Sequence, residues 1–118
     1  HRVLQIMTNL LSNARHAVSG YTERRVDVHL AADGDGAQIR VEDSGMGIAG
    51  GDLVRIFRHG FSTRSEGHGF GLHASANAAR ELGGELSAES EGPGKGACFT
   101  LSLPPVAPGG AEEAHDAD

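Results

Sequence analysis

The pattern that most constrains the fold is an order of elements that occurs twice. A helix-period segment is followed by two strand-like runs, with no repeat in the residues themselves. In "HRVLQIMTNLLSNARHAVSG", Val3, Ile6, Met7, Leu10, Leu11, Ala14, Ala17 and Val18 recur at helical spacing, which predicts a helix over 2–18 stopped at Gly20. In "LHASANAAREL", Leu72, Ala76, Ala79 and Leu82 share one face, and Gly83-Gly84 is the stop. After the first helix, Val26, Val28 and Leu30 alternate, then Ile39 and Val41, on either side of the hairpin signal "DGDG". After the second, "GELSAESEGPGKGACFTLSLP" reads as another hairpin turned at "GPGKG". Between the halves, "DLVRIF" predicts a short helical turn capped by Asp52. Helices with one apolar stripe and strands with one apolar face bury those surfaces on each other. The expected class is α+β, a two-layer α/β sandwich with helices on one face of a sheet.

Length and charge narrow the setting. At 118 residues and 38% hydrophobic content, the chain suits one domain with one modest core. Its 18 glycines are about twice the usual ~7% share, and they gather between Asp43 and Gly71 and between Gly92 and Gly96, in loops. A net charge of −6 argues against general nucleic-acid binding. Much of that charge is local, because Glu112, Glu113, Asp116 and Asp118 sit in "APGGAEEAHDAD". This stretch follows Pro104, Pro105 and Pro108 and lacks apolar periodicity, so 106–118 is expected to be a disordered acidic tail. The single Cys98 builds no disulfide framework, which fits a reducing cytoplasmic setting. No apolar run approaches the ~20 residues of a membrane span. No signal peptide is visible, and without an initiating Met the chain reads as a fragment.

Four local patterns carry chemistry, each with a plainer alternative. Asn9 and Asn13 are one helical turn apart, on a face beside the apolar stripe. Their carbonyl oxygens suit Mg²⁺, although a solvated or hydrogen-bonded pair is the commoner explanation. In "VEDSGMGI", Asp43 ends an apolar strand and can accept a hydrogen bond from an exocyclic amine such as adenine's. Gly45 and Gly47 would let a flat ring approach the backbone, though an Asp-Ser-Gly turn alone is commoner. The glycine-rich stretch after "DLVRIF" holds Arg55, Arg58, His59, Arg64 and His68 against only Asp52 and Glu66. In an acidic protein this suggests an anionic ligand, or else ordinary surface charge. Finally, "GHGFGL" places Gly67, Gly69 and Gly71 before a helix start, where exposed backbone amides and the helix dipole would cradle phosphate. A flexible connector is the alternative.

The order of these patterns is more specific than any one of them. The chain resembles the ATP-binding catalytic domain of bacterial sensor histidine kinases, a Bergerat-fold family. "LQIMTNLLSNARHAV" is similar to its N box, "DSGMGI" to its G1 box, "IFRHGFSTR" to its F box and "GHGFGLHASANAARELGG" to its G2 box, with "GPGKGACFTLSLP" as the closing strand pair. The resemblance covers about residues 3–104. It implies a mixed, largely antiparallel sheet and a catalytic domain over 1–105, with strands that usually precede the N box lying before this chain's first helix.

The resemblance also implies roles. Asn13 would ligate Mg²⁺, Asn9 would lie beside the phosphates as a catalytic residue, and His16 would stand near them. Asp43 would receive the adenine amino group, framed by Gly45 and Gly47. Phe57 and Phe61 would anchor a lid over about 58–68, mobile without nucleotide. Arg64 would reach a terminal phosphate. Gly67, Gly69 and Gly71 would form the phosphate cradle, with Leu72 opening the helix behind them. The implied ligands are ATP and Mg²⁺. The implied partners are a dimerisation domain bearing the phospho-accepting histidine and, indirectly, a response regulator. Neither nucleic acid nor direct membrane contact by this domain is implied, and the whole protein would be cytoplasmic or attached to the inner membrane.

Two departures matter. ATPase relatives resembling gyrase, the chaperones and mismatch-repair proteins carry a Glu four residues before the magnesium Asn, as a base on water. Here that position is Asn9, and an amide cannot deprotonate water. A histidine acceptor brings its own nucleophilic nitrogen and needs positioning and charge neutralisation instead. That favours a histidine kinase over an anti-sigma-factor type serine kinase. A non-catalytic nucleotide-binding module is the alternative from a different class. The second departure is Ala97, where the wider superfamily often has a hydroxyl that supports the adenine-binding Asp.

Overall fold

In the computed structural model, residues 2–58 and 72–105 are described. Helix α1 spans Arg2–Val18 and helix α2 Leu72–Glu81. The strands are β1 (Val26–Asp33), β2 (Gly36–Asp43), β3 (Glu85–Glu89) and β4 (Ala97–Leu103). They form one sheet in the order β1-β2-β4-β3. Every pairing among the described residues is antiparallel, so the mixed character expected of the sheet does not occur among them. The two-layer arrangement stands, with α1 packed on β2 and α2 on β3 and β4.

Local chemistry explains most boundaries. β1 and β2 are joined by Gly34-Asp35, because Asp33 pairs with Gly36 and Gly34 takes φ +63°. Helix α2 ends in a Schellman motif. The Gly84 amide donates to the Ala79 carbonyl at 2.8 Å, the Gly83 amide to Arg80 at 2.9 Å, and Gly83 has φ +81°. Gly20 after α1 is not among the glycines with positive φ. There the Ser19 hydroxyl donates to the His16 carbonyl at 2.9 Å. The turn after β2 begins earlier than expected: a short 3-10 helix covers Gly50–Asp52 with Ala49 as its N-cap. Asp52 ends it and opens the expected helical turn over 53–57: its carbonyl accepts the Arg55 and Ile56 amides at 2.8 and 2.9 Å, and its carboxylate accepts from the Arg55 guanidinium.

The core lies between the layers. Ile6, Leu10 and Ala14 of α1 and Leu72, Ala76 and Ala79 of α2 meet Ile39, Val41, Leu86, Phe99 and Leu101 of the sheet. Register shows where this cover stops. Leu30, Ile39, Leu101 and Leu86 are cross-strand neighbours on the helix-facing side, with exposures of 75%, 9%, 0% and 7%. No helix covers β1 among the described residues, so Val28 and Leu30 remain in solvent, as do Leu4 and Leu11 on one flank of α1. Among the described residues, β1 is an edge strand with no helix over it. Among the described residues, no helix is long and apolar enough to cross a membrane.

Candidate functional site

The site is organised around the end of β2. Alternation along β2 points Ile39, Val41 and Asp43 toward the helices, so Asp43 is a carboxylate at a core position, 7% exposed. A buried carboxylate needs partners. Asp43 Oδ1 accepts the Gly45 amide at 2.9 Å, an Asx turn that orients the side chain. The loop after it is stitched on two sides. The Met46 amide donates to the Ala17 carbonyl of α1 at 2.9 Å. On the other side, the Gly94 amide donates to Met46 at 2.7 Å and the Gly96 amide to Gly45 at 3.0 Å.

These contacts change the reason for the glycines. A Cβ at Gly45 would lie 2.2 Å from the Ala17 carbonyl oxygen, and one at Gly47 2.1 Å from that of Gly92. Gly47 also has φ +70°. Backbone packing against α1 and the β3–β4 turn is by itself enough to require both glycines. Gly96 is the third such position, with φ +74° and its Cβ direction 2.2 Å from the Asp43 carbonyl oxygen.

Helix α1 supplies the polar wall. Asn13 is buried at 7% exposure, one turn before Ala17, which contacts the Asp43 loop. Asn9 is half-buried, and its Nδ2 donates to Ser75 Oγ of α2 at 2.9 Å. Asn9 therefore reaches into the α1–α2 seam, and Asn13 is buried one turn further along α1. His16 is half-buried in the last turn of α1. Leu72, the first residue of α2, is buried in the core. Phe57 packs edge-on against Phe99, ring centroids 6.4 Å apart, and Phe99 lies two residues along β4 from Ala97, the cross-strand partner of Asp43. Arg64, Gly67, Gly69 and Gly71, together with Phe61 and the acidic tail, lie outside the described residues.

Three positioning residues were not foreseen. Ser75 receives Asn9, Ser90 Oγ accepts the Ile48 amide at 3.0 Å and ties the Asp43 loop to the last hairpin, and His73 reaches the Phe57 carbonyl. Each acts across the fold, and no local spacing signals it.

The opposite face of the sheet has its own charged group. Ligand atoms of Asp27, His29 and Glu42 lie within 4.8 Å of one another. Guanidiniums already answer these carboxylates, with Arg25 Nε 3.1 Å from Asp27 and Arg40 Nη2 3.9 Å from Glu42. The hydrogen bond to Asp27 and the charge of Glu23 hold Arg25 above its usual range.

The family described as histidine kinase-, DNA gyrase B-, and HSP90-like ATPase matches residues 1–107. The chain belongs to this family. Its sequence is similar to the sensor histidine kinase ZraS of Klebsiella oxytoca, 41% identical over 104 residues, covering 87% of this chain and 22% of that protein. The chain thus spans about a fifth of that relative's length. Its fold matches the catalytic domain of histidine kinase ThkA with TM-score 0.76 at 24% identity, over 87% of this chain and 66% of that one. It also matches full-length ShkA in complex with AMPPNP, with TM-score 0.74 at 27% identity, over 87% of this chain and 21% of that one.

Two of the described residues have chemistry that fits a magnesium nucleotide: Asp43 is a buried carboxylate acceptor oriented by the Gly45 amide, and Asn13 is a buried amide one turn before Ala17, which holds the Asp43 loop.

Proposed function

We propose that this chain is the ATP-binding catalytic domain of a two-component sensor histidine kinase, the domain occupying residues 1–105. The observation that carries this reading is Asp43. It is a carboxylate at a core-facing position, oriented by the Gly45 amide in a loop that is tied to α1 through Ala17. Such a group is suited to accept the adenine amino group, and ShkA, a structural match, was solved with AMPPNP. Asn13 would hold Mg²⁺, which when bound neutralises phosphate charge. The amide of Asn9 sits where a hydrolytic relative carries a base. It positions and cannot activate water, so the γ-phosphoryl group passes to a nucleophile that needs no base, the imidazole nitrogen of a histidine on a separate dimerisation domain. Gly67, Gly69 and Gly71 would cradle the phosphates and Arg64 would reach the terminal one, with His16, Gly45, Gly47, Phe57 and Leu72 completing the walls. A response regulator would receive the phosphate in turn, in the cytoplasm.

Phosphoryl transfer to an acceptor domain supplied in trans tests the reading. Transfer from labelled ATP that Asp43→Asn abolishes or strongly weakens is the expected result. ATP binding without transfer to any histidine acceptor would instead favour a non-catalytic nucleotide-binding module.

A further inference from the structure

We propose that His73 is a positioning residue for nucleotide binding, the last link of a polarised hydrogen-bond chain that pins the first turn of α2 to Phe57. The inference rests on the nucleotide-site reading above.

Arg80, Asn77 and His73 follow one another at helical spacing along a single face of α2. The Arg80 guanidinium contacts Asn77 Oδ1, Asn77 Nδ2 lies 3.2 Å from His73 Nε2, and His73 Nδ1 lies 3.0 Å from the Phe57 carbonyl oxygen. The chemistry of the two ends fixes the middle. A guanidinium can only donate, so the Asn77 oxygen faces Arg80 and its NH₂ group faces the ring. That NH₂ can only donate, so Nε2 must accept. A carbonyl can only accept, so Nδ1 must carry the proton. Both neighbours demand the same arrangement, with the proton on Nδ1 and the acceptor at Nε2, and every donor points from Arg80 toward Phe57.

The anchored groups explain the purpose. Phe57 is held from below by the Phe99 ring, beside the strand position that pairs with Asp43. Two residues beyond His73, Ser75 receives Asn9 of α1 at 2.9 Å. The first turn of α2 is therefore fixed from two directions, by α1 through Ser75 and by the 53–57 turn through His73. The first turn of α2 is the helix start that the nucleotide reading places behind the Gly67, Gly69 and Gly71 cradle, and its aim depends on this bracing.

An asparagine places an amide N–H where His73 has Nδ1–H, whereas a glutamine reaches the Nε2 position instead. The test measures ATP and adenosine affinities by calorimetry for wild type, His73→Ala, His73→Asn and His73→Gln. Loss of one net hydrogen bond predicts an ATP affinity about three- to tenfold weaker in His73→Ala. Adenosine, which has no phosphates, is expected to bind as before. His73→Asn is expected to recover ATP affinity and His73→Gln is not. Unchanged ATP affinity in His73→Ala, equal losses for ATP and adenosine, or equal affinities in the Asn and Gln variants would each overturn the inference. If the alanine variant does not fold, the Asn–Gln comparison decides alone. A wild-type chain that binds neither ligand overturns the nucleotide reading, and His73's role with it.

Discussion

At the scale of single residues, the site is made of positions where the fold leaves no freedom. Asp43 is a charged group placed where the strand's alternation calls for an apolar one, and the Gly45 amide holds it in place. Asp43→Asn keeps the shape and replaces the carboxylate acceptor. Losing a charge-assisted hydrogen bond costs about 1.5–3 kcal/mol, so ATP affinity is expected to fall roughly ten- to hundredfold in a calorimetric titration. Unchanged binding would remove Asp43 from the adenine site. Gly96 makes a second prediction, about stability. Its φ is +74°, and a Cβ there would lie 2.2 Å from the Asp43 carbonyl oxygen, so a side chain would be both strained and crowded. Gly96→Ala is expected to cost at least about 1–3 kcal/mol in chemical unfolding. Gly50→Ala, which meets nothing within 4 Å, is expected to be near neutral.

At the scale of elements, the sequence disclosed what lies on one element and concealed what joins two. The helical spacing of Ile6, Leu10, Ala14 and Ala17, and the alternation of Ile39 and Val41, are periodic signals, and both survive in the core. Asp43 and Asn13 were legible because a polar residue at or beside a buried stripe is conspicuous. The bond between Asn9 and Ser75 links residues 66 apart in the chain, and no local pattern encodes it. The strand order β1-β2-β4-β3 was likewise invisible, since periodicity assigns strands without assigning neighbours. The helical turn that begins at Asp52 was legible, whereas the 3-10 helix over Gly50–Asp52 ahead of it carries no apolar periodicity to announce it. Helix α1 carries the core residues Ile6, Leu10 and Ala14 and, beside them, the buried Asn13 that the proposed function assigns to Mg²⁺. Asn13→Ala is expected to weaken Mg²⁺-dependent ATP binding while leaving adenosine binding nearly intact, because adenosine offers no phosphate for a metal to bridge. Equal losses for both would assign Asn13 to the fold alone.

At the scale of the whole molecule, the stabilising contacts are concentrated toward one side of the sheet. Two helices cover β2, β4 and β3, and the helix-facing side chains of β1 continue the same register into solvent. Leu101 and Leu30 lie in the same row of cross-strand neighbours with exposures of 0% and 75%, so a matched pair of substitutions measures where the core ends. Leu101→Ala removes a fully buried side chain and is expected to cost about 2–5 kcal/mol. Leu30→Thr keeps a strand-forming residue and gives up an apolar surface that is already hydrated, so its cost is expected to stay within about 0.5 kcal/mol. Urea unfolding followed by circular dichroism reads both values. The two changes also separate stability from function. Leu30 is two rows from the Asp43–Ala97 pair, on a strand that contributes nothing to the α1–α2 seam, so ATP affinity is expected to be unchanged in Leu30→Thr. A loss of several kcal/mol in Leu30→Thr would mean that the core extends over β1. A loss of ATP affinity in that variant at full stability would mean that the edge strand communicates with Asp43 through β2.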